Sequence, residues 1–212
     1  GGLQGIKNLK ALRDQLGDES VRSALMDKLR RIHEQVRTAE KRFLLVGESK
    51  AMTRLQDQLN ACWSAAPDSS SAMLELPKVR QQTLEAWTTS TQVNFCAKAF
   101  PTVPAGHEDN PALTVLAGFL RNGFLHTAIR EKGGAYGGGA GQDPGSASFR
   151  FFSYRDPRLQ ETLDDFDRSI EWLLNEEHPP HRLEEAILGV IASMDKSSSP
   201  AGEAKQAYYN YL

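Results

Sequence analysis

Between Gly133 and Gly141 six of nine residues are glycine, and the run separates two segments of different hydrophobic period. Upstream, Leu113, Leu116, Leu120 and Phe124 recur at steps of three and four, the stripe of a helix with one buried face. Downstream, Phe149 and Phe151 alternate with Arg150, Phe152 and Tyr154, as in a strand with two different faces. Few local structures satisfy both. Asn110-Pro111 opens the helix, cap then proline in the first turn, and Gly133-Gly134 end it. The turn signature "QDPG" divides "YGGGAG" from "SASFRFFSYR", so the two pieces read as a β-hairpin. Arg130 then ends a helix and Tyr136 opens a strand, with both side chains expected on one open surface.

Earlier segments are mostly helical. Val21, Leu25, Leu29, Ile32 and Val36 form a helical stripe, capped by Asp18 and divided from a preceding helix by Gly17. "RFLLVG" (Arg42–Gly47) reads as a buried strand. A helix with Met52, Leu55, Leu59 and Cys62 on one face follows, then a serine-rich loop around Pro67. "TSTQVNFCAKAF" sets Thr91, Val93, Phe95, Ala97 and Ala99 against Gln92, Asn94 and Lys98, a half-covered strand. After the hairpin, Asp156-Pro157 is expected to cap a helix carrying Leu159, Leu163, Phe166, Ile170 and Leu173. Leu183, Ile187, Val190 and Met194 mark another, and Ser199-Pro200 starts a last one. The order αα–βα–βαββ–ααα predicts an α+β fold: a two-layer sandwich of mainly antiparallel sheet with helices packed on one face. Residues 1–41 are helical with no strand among them, and residues 42–212 are expected to form an α+β domain whose last helix is cut short. With no initiator methionine, the chain reads as a piece of a longer protein.

Composition narrows the chemistry. A net charge of −2 with both signs interspersed argues against a nucleic-acid footprint, which needs a basic face. No apolar run is long enough to span a bilayer. Cys62 and Cys96 support neither a disulfide framework nor a zinc site, so a reducing compartment is expected. A zinc peptidase needs two histidines one helical turn apart, but His33, His107, His126, His178 and His181 form neither His-Glu-x-x-His nor its inverse. His178 and His181, split by two prolines, read as a helix entrance, and no metal ligand is assigned. The acidic clusters "DDFD" and "NEEH" read as solvated faces. A phosphate cradle would lie between a strand and a following helix, the reverse of the order here. Taken alone, the glycines are a bend or a place where another backbone comes close.

"FLRNGFLHTAIREKGGAYGGGA", "FRFFSYRDPRLQETLDDFDRSIEWL" and "LEEAILGVIASMDKSSSPAGEA" together resemble the C-terminal half of the insulinase-type (pitrilysin, or inverzincin) metallopeptidases, in the presequence-protease branch. The similarity is strong over residues 110–205 and looser over 1–100. It implies a zinc metalloendopeptidase that degrades short unstructured peptides, with this chain as its C-terminal substrate-binding half-domain. The zinc ion would be bound outside this chain, by the N-terminal half of the same polypeptide. Arg130 and Tyr136 would be the catalytic pair, and Gly133, Gly134, Ala135, Gly137 and Gly138 would let substrate lie against the strand. Compartment would be the bacterial cytoplasm or an organelle matrix. Two alternatives stay open: a non-catalytic peptide-binding or scaffold subunit of the same superfamily, and a structural domain in which Tyr136 is buried and satisfied internally.

Overall fold

The computed structural model describes residues 2–63 and 81–211, in two compact units. One takes in residues 1–77 and 198–212, the other residues 78–197. The serine-rich segment around Pro67 lies outside the described residues.

The first unit contains α1 (Gly2–Gln15), α2 (Glu19–Thr38), α3 (Ser49–Trp63) and, from the chain end, α7 (Pro200–Tyr211). Asp18 caps α2 as expected, its carboxylate accepting from Ser20 N at 2.7 Å. Lys41 closes the other end by donating to the Val36, Arg37 and Ala39 carbonyls, which have no partner within the helix. "RFLLVG" is not a strand. A strand is held by backbone pairing, and among the described residues no strand lies beside it. Phe43 instead packs on Trp63, ring centroids 5.4 Å apart.

The second unit is built on an antiparallel sheet of order β1-β3-β2, from β1 (Asn94–Pro101), β2 (Gly137–Asp143) and β3 (Ser148–Asp156). α4 (Asn110–Leu120), α5 (Gln160–Asn175) and α6 (Pro180–Met194) complete it, a mixed α+β fold. The core lies between sheet and helices. Phe149 and Phe151 face inward from β3, and Phe151 stacks on Phe166 of α5 at 5.5 Å. Register brings Phe95 opposite Tyr154, Ala97 opposite Phe152 and Ala99 opposite Arg150, all on the other face of the sheet.

β1 has the expected period but the opposite covering. Cys96 is buried, whereas Phe95 is 66% exposed. Polar bonds hold the covered side: Asn94 donates to the carbonyls of Asp156 and Arg158, and Lys98 pairs with Asp167 on α5. Phe95, Ala97 and Ala99 therefore mark the open face.

The helix from Asn110 continues to Lys132, but residues Arg121–Lys132 are π-helical. Bonds from i to i+5 widen the helix, and the buried positions follow: Leu120, Leu125 and Ile129 are fully buried, spaced by five and four. Phe124 is consequently only half-buried. Asp109 rather than Asn110 occupies the cap position. The Asn110 side chain instead accepts from Gln142 Nε2 of β2 at 3.2 Å.

α5 is rotated from its leucine stripe. It buries Thr162, Asp165, Phe166, Ser169 and Trp172, while Leu159 is exposed. Each buried polar group has a partner, so the helix turns this face inward without leaving one unpaired. Asp156 is fully buried and ties the strand end to the helix: Oδ1 accepts from Arg158 N at 2.9 Å and Oδ2 from Thr162 Oγ1 at 2.8 Å. It is a brace rather than the expected cap, since the cap position falls on Leu159. Asp165, expected in solvent, is shared by Arg158 and Arg168. On α6 only Ala186 is buried, and Leu183, Ile187 and Met194 stay exposed.

Candidate functional site

The π-helical segment ends in an αL cap, with a second backbone bond outside it. Gly134 N donates to the Arg130 carbonyl and Ala135 N to the Ile129 carbonyl, both at 3.1 Å. Gly134 supplies the left-handed residue this motif needs, with φ of +78°. Ala135 is buried in the core beside Ile129, so its side chain is an anchor and faces away from solvent. Arg130 and Tyr136 thus stand at the two ends of one fixed turn. Chain direction reverses there from helix to strand.

Tyr136 precedes β2 and is 62% exposed. Its N–H donates to the Arg155 carbonyl at 3.3 Å, extending the hairpin ladder by one step. The ring packs against Tyr154, centroids 5.4 Å apart, and the Arg155 guanidinium lies 5.9 Å from the ring centroid. Its hydroxyl has no hydrogen-bond partner among the described residues. The expectation of a buried, internally satisfied tyrosine therefore fails. Arg130 is also exposed, and its guanidinium makes no hydrogen bond or ion pair among the described residues.

The cation beside Tyr136 is Arg155, which the sequence did not single out. The strand shifts register between Asn94 and Phe95, so that Asp156 pairs with Asn94 and Tyr154 with Phe95. Arg155 is the extra residue of this bulge, with φ of +51°. Strict alternation would put it on the covered face with Ser153. Nothing in the local sequence marks the bulge. Tyr154 was legible, since alternation alone places it with Phe152 and Arg150.

The glycines of β2 have specific neighbours. A Cβ on Gly137 would lie 2.6 Å from Tyr154 Cε1, and one on Gly138 would lie 2.9 Å from Ile129 Cγ2. Their bareness lets the Tyr154 ring cover the strand from one side and the helix press on it from the other. β2 is an edge strand, with no strand beyond it among the described residues.

Histidines are dispersed. His126 Nδ1 is 3.3 Å from Glu131, and His178 packs on Trp172 at 4.4 Å with Nε2 3.0 Å from the Leu173 carbonyl. Among the described residues no three His, Cys, Asp or Glu side chains come together as metal ligands. The donor set does not fit a catalytic zinc ion, which needs three protein ligands. Burial pushes the Cys96 thiol pKa up, which makes it a poor nucleophile. No helix among the described residues is long and apolar enough to cross a membrane.

A helix-backed antiparallel sheet carrying a solvent-facing tyrosine and arginine around a capped turn is an α+β domain with a polar site at its sheet edge. The family described as PreP C-terminal domain matches residues 84–212, and the chain belongs to that family. It is 41% identical over 121 residues to a protein of Yarrowia lipolytica named "Presequence protease, mitochondrial", covering 57% of this chain and 12% of that relative. Proteins of the same name from Saccharomyces cerevisiae and Emericella nidulans are 30% and 32% identical, covering 95% and 98% of this chain and 21% and 20% of the relatives. The chain thus spans about a fifth or less of the length of these relatives.

Proposed function

We propose that this chain is the C-terminal, substrate-binding part of a zinc metalloendopeptidase that cuts short unstructured peptides. Similarity to proteins named as presequence proteases supports the peptidase reading. The observation that carries the site is the exposed Tyr136 hydroxyl, unpartnered among the described residues, at the head of an edge strand. In this reading residues 1–41 connect the domain of residues 42–212 to the preceding part of the polypeptide. That N-terminal half is the chain's partner and the holder of zinc, for which the residues here are no fit. The relatives' names support an organelle matrix as the compartment.

A peptide adds along the free edge of β2 and is held by main-chain hydrogen bonds, largely independent of its sequence. The glycines from Gly133 to Gly138, and the backbone of Ala135 between them, keep bulky side chains away from that approach. Arg130 donates from its guanidinium to a substrate carbonyl in the ground state. Tyr136 donates its phenolic O–H to the oxygen on which negative charge develops when the peptide carbonyl is attacked. A donor aimed at that oxygen matters most in the transition state.

Steady-state cleavage of an unstructured peptide by the intact protein tests the division of labour. Arg130→Ala is expected to raise KM as well as lower kcat, because its bond exists before the reaction. An unchanged KM, with substrate binding shown to be at equilibrium, removes Arg130 from the substrate site.

A further inference from the structure

Between the π-helical segment and α5 the helix layer opens into a cleft of about 390 Å³, lined by Phe124, Thr127, Lys132, Arg158, Asp165 and Arg168 among others. Three of these side chains are cations and one is an anion. Asp165 is buried and already shared, one oxygen with Arg158 at 2.9 Å and the other with Arg168. Within the lining itself, cations therefore outnumber anions by two. Arg158 Nε is buried without a hydrogen-bond partner, and Lys132 makes no ion pair or side-chain hydrogen bond, among the described residues. Nearby acids are partly engaged elsewhere: Glu131 accepts from Thr127 at 2.8 Å, and Asp164 from Gln160 at 2.9 Å. Asp164 and Glu171, outside the lining, also favour the charged form of Arg168.

We propose that this cleft binds a phosphate monoester, its phosphate group among Lys132, Arg158 and Arg168 and its organic body against Phe124. A dianion matches that excess of two in the lining, where a carboxylate would match one. Guanidinium forks fit the tetrahedral oxygens of phosphate, and Lys132 brings an ammonium that has no ion-pair partner among the described residues. The cleft is larger than a bare phosphate needs. Phe124, backed by Trp172 at 5.9 Å, gives the remaining space an apolar wall.

Occupancy reaches the capped turn through Arg158. Its Nη2 donates to the Ala128 carbonyl at 3.2 Å, and a Cβ on Gly133 would stand 2.0 Å from the same atom. A phosphate that fixes Arg158 therefore holds the last turn of the helix, from which Arg130 projects, and the glycine turn that leads to Tyr136. The cleft and its binding do not depend on the peptidase reading.

Calorimetric titration of the 212-residue chain with phenyl phosphate, inorganic phosphate and benzoate tests the site. Phenyl phosphate is expected to bind one to one and more tightly than the other two. Lys132→Ala and Arg168→Ala, both at the exposed rim, should each weaken it about tenfold, the loss of one charge-assisted bond. Arg150→Ala, on the open face of the sheet, should leave it unchanged. Inorganic phosphate binding that is lost in the same two variants also supports the site, and identifies the phosphate group as what is read. No saturable binding, binding indifferent to both variants, or benzoate binding as tightly as phenyl phosphate overturns the proposal. Hydrogen exchange reads the coupling: the Gly134 and Ala135 amides should slow when phenyl phosphate is bound, and unchanged exchange at saturation rejects the link to the turn.

Discussion

A Cβ built on Gly133 would stand 2.5 Å from the Ile129 carbonyl oxygen, whereas one on Gly134 would meet nothing closer than Pro157 Cγ at 3.5 Å. The two glycines are needed for different reasons. Gly134 needs its positive φ, so Gly134→Ala costs about 1 kcal/mol in backbone strain. Gly133 has an ordinary φ of −82° but no space: the Arg158 guanidinium stands nearer still, and the Ile129 carbonyl behind it is backbone that accepts the Ala135 bond. Gly133→Ala should therefore cost more, about 2–3 kcal/mol, as overpacking does where neighbours cannot move. Urea unfolding of the two variants checks the order. Equal losses would mean that the turn relaxes around Gly133. At Asp156, replacement by alanine orphans both the Thr162 hydroxyl and the Arg158 N–H in a buried place. A loss of about 2–3 kcal/mol is expected in the same measurement, and a neutral result would contradict the brace.

The hairpin gives the clearest pH dependence among the elements. Its turn runs from Pro144 to Ala147, between the paired Asp143 and Ser148. The Asp143 carboxylate is held below the ordinary carboxylate range, first by the Ser146 N–H and also by the Gly145 N–H and Arg150. A depressed folded-state pKa means stability that is present above the unfolded-state pKa and lost as pH falls through the folded one. Protection of the Gly145 and Ser146 amides, relative to their intrinsic exchange at each pH, should fall on acidification through that window, and Asp143→Asn should abolish the dependence. An identical acid response in both proteins would rule out this carboxylate as the cause. The hairpin and the helix before it were legible because glycine, proline and hydrophobic period all agreed there. The sequence was less informative about orientation. β1 covers its polar side because Asn94 and Lys98 find partners there, and α5 buries Asp165 because two arginines meet it. Such pairings are made between distant segments, and no local window contains both members. The same holds for Arg155, which reaches Tyr136 only because of a bulge.

At the scale of the whole molecule, the proposed function divides the work between this chain and the remainder of a longer polypeptide. The 212-residue chain alone should neither bind zinc stoichiometrically nor cleave peptides, since the described residues gather no ligand set. Tight zinc with chelator-sensitive peptidase activity in that chain would refute this division. The most direct test of the central claim is kcat for Tyr136→Phe in the intact protein, measured on an unstructured peptide where chemistry is rate-limiting. Phenylalanine keeps the ring against Tyr154 and removes only the O–H. A fall in kcat of about 10²–10³ with little change in peptide affinity is expected, the typical loss for one oxyanion donor. Near-normal kcat in a variant that melts like the parent would make Tyr136 a packing residue and contradict the proposed mechanism.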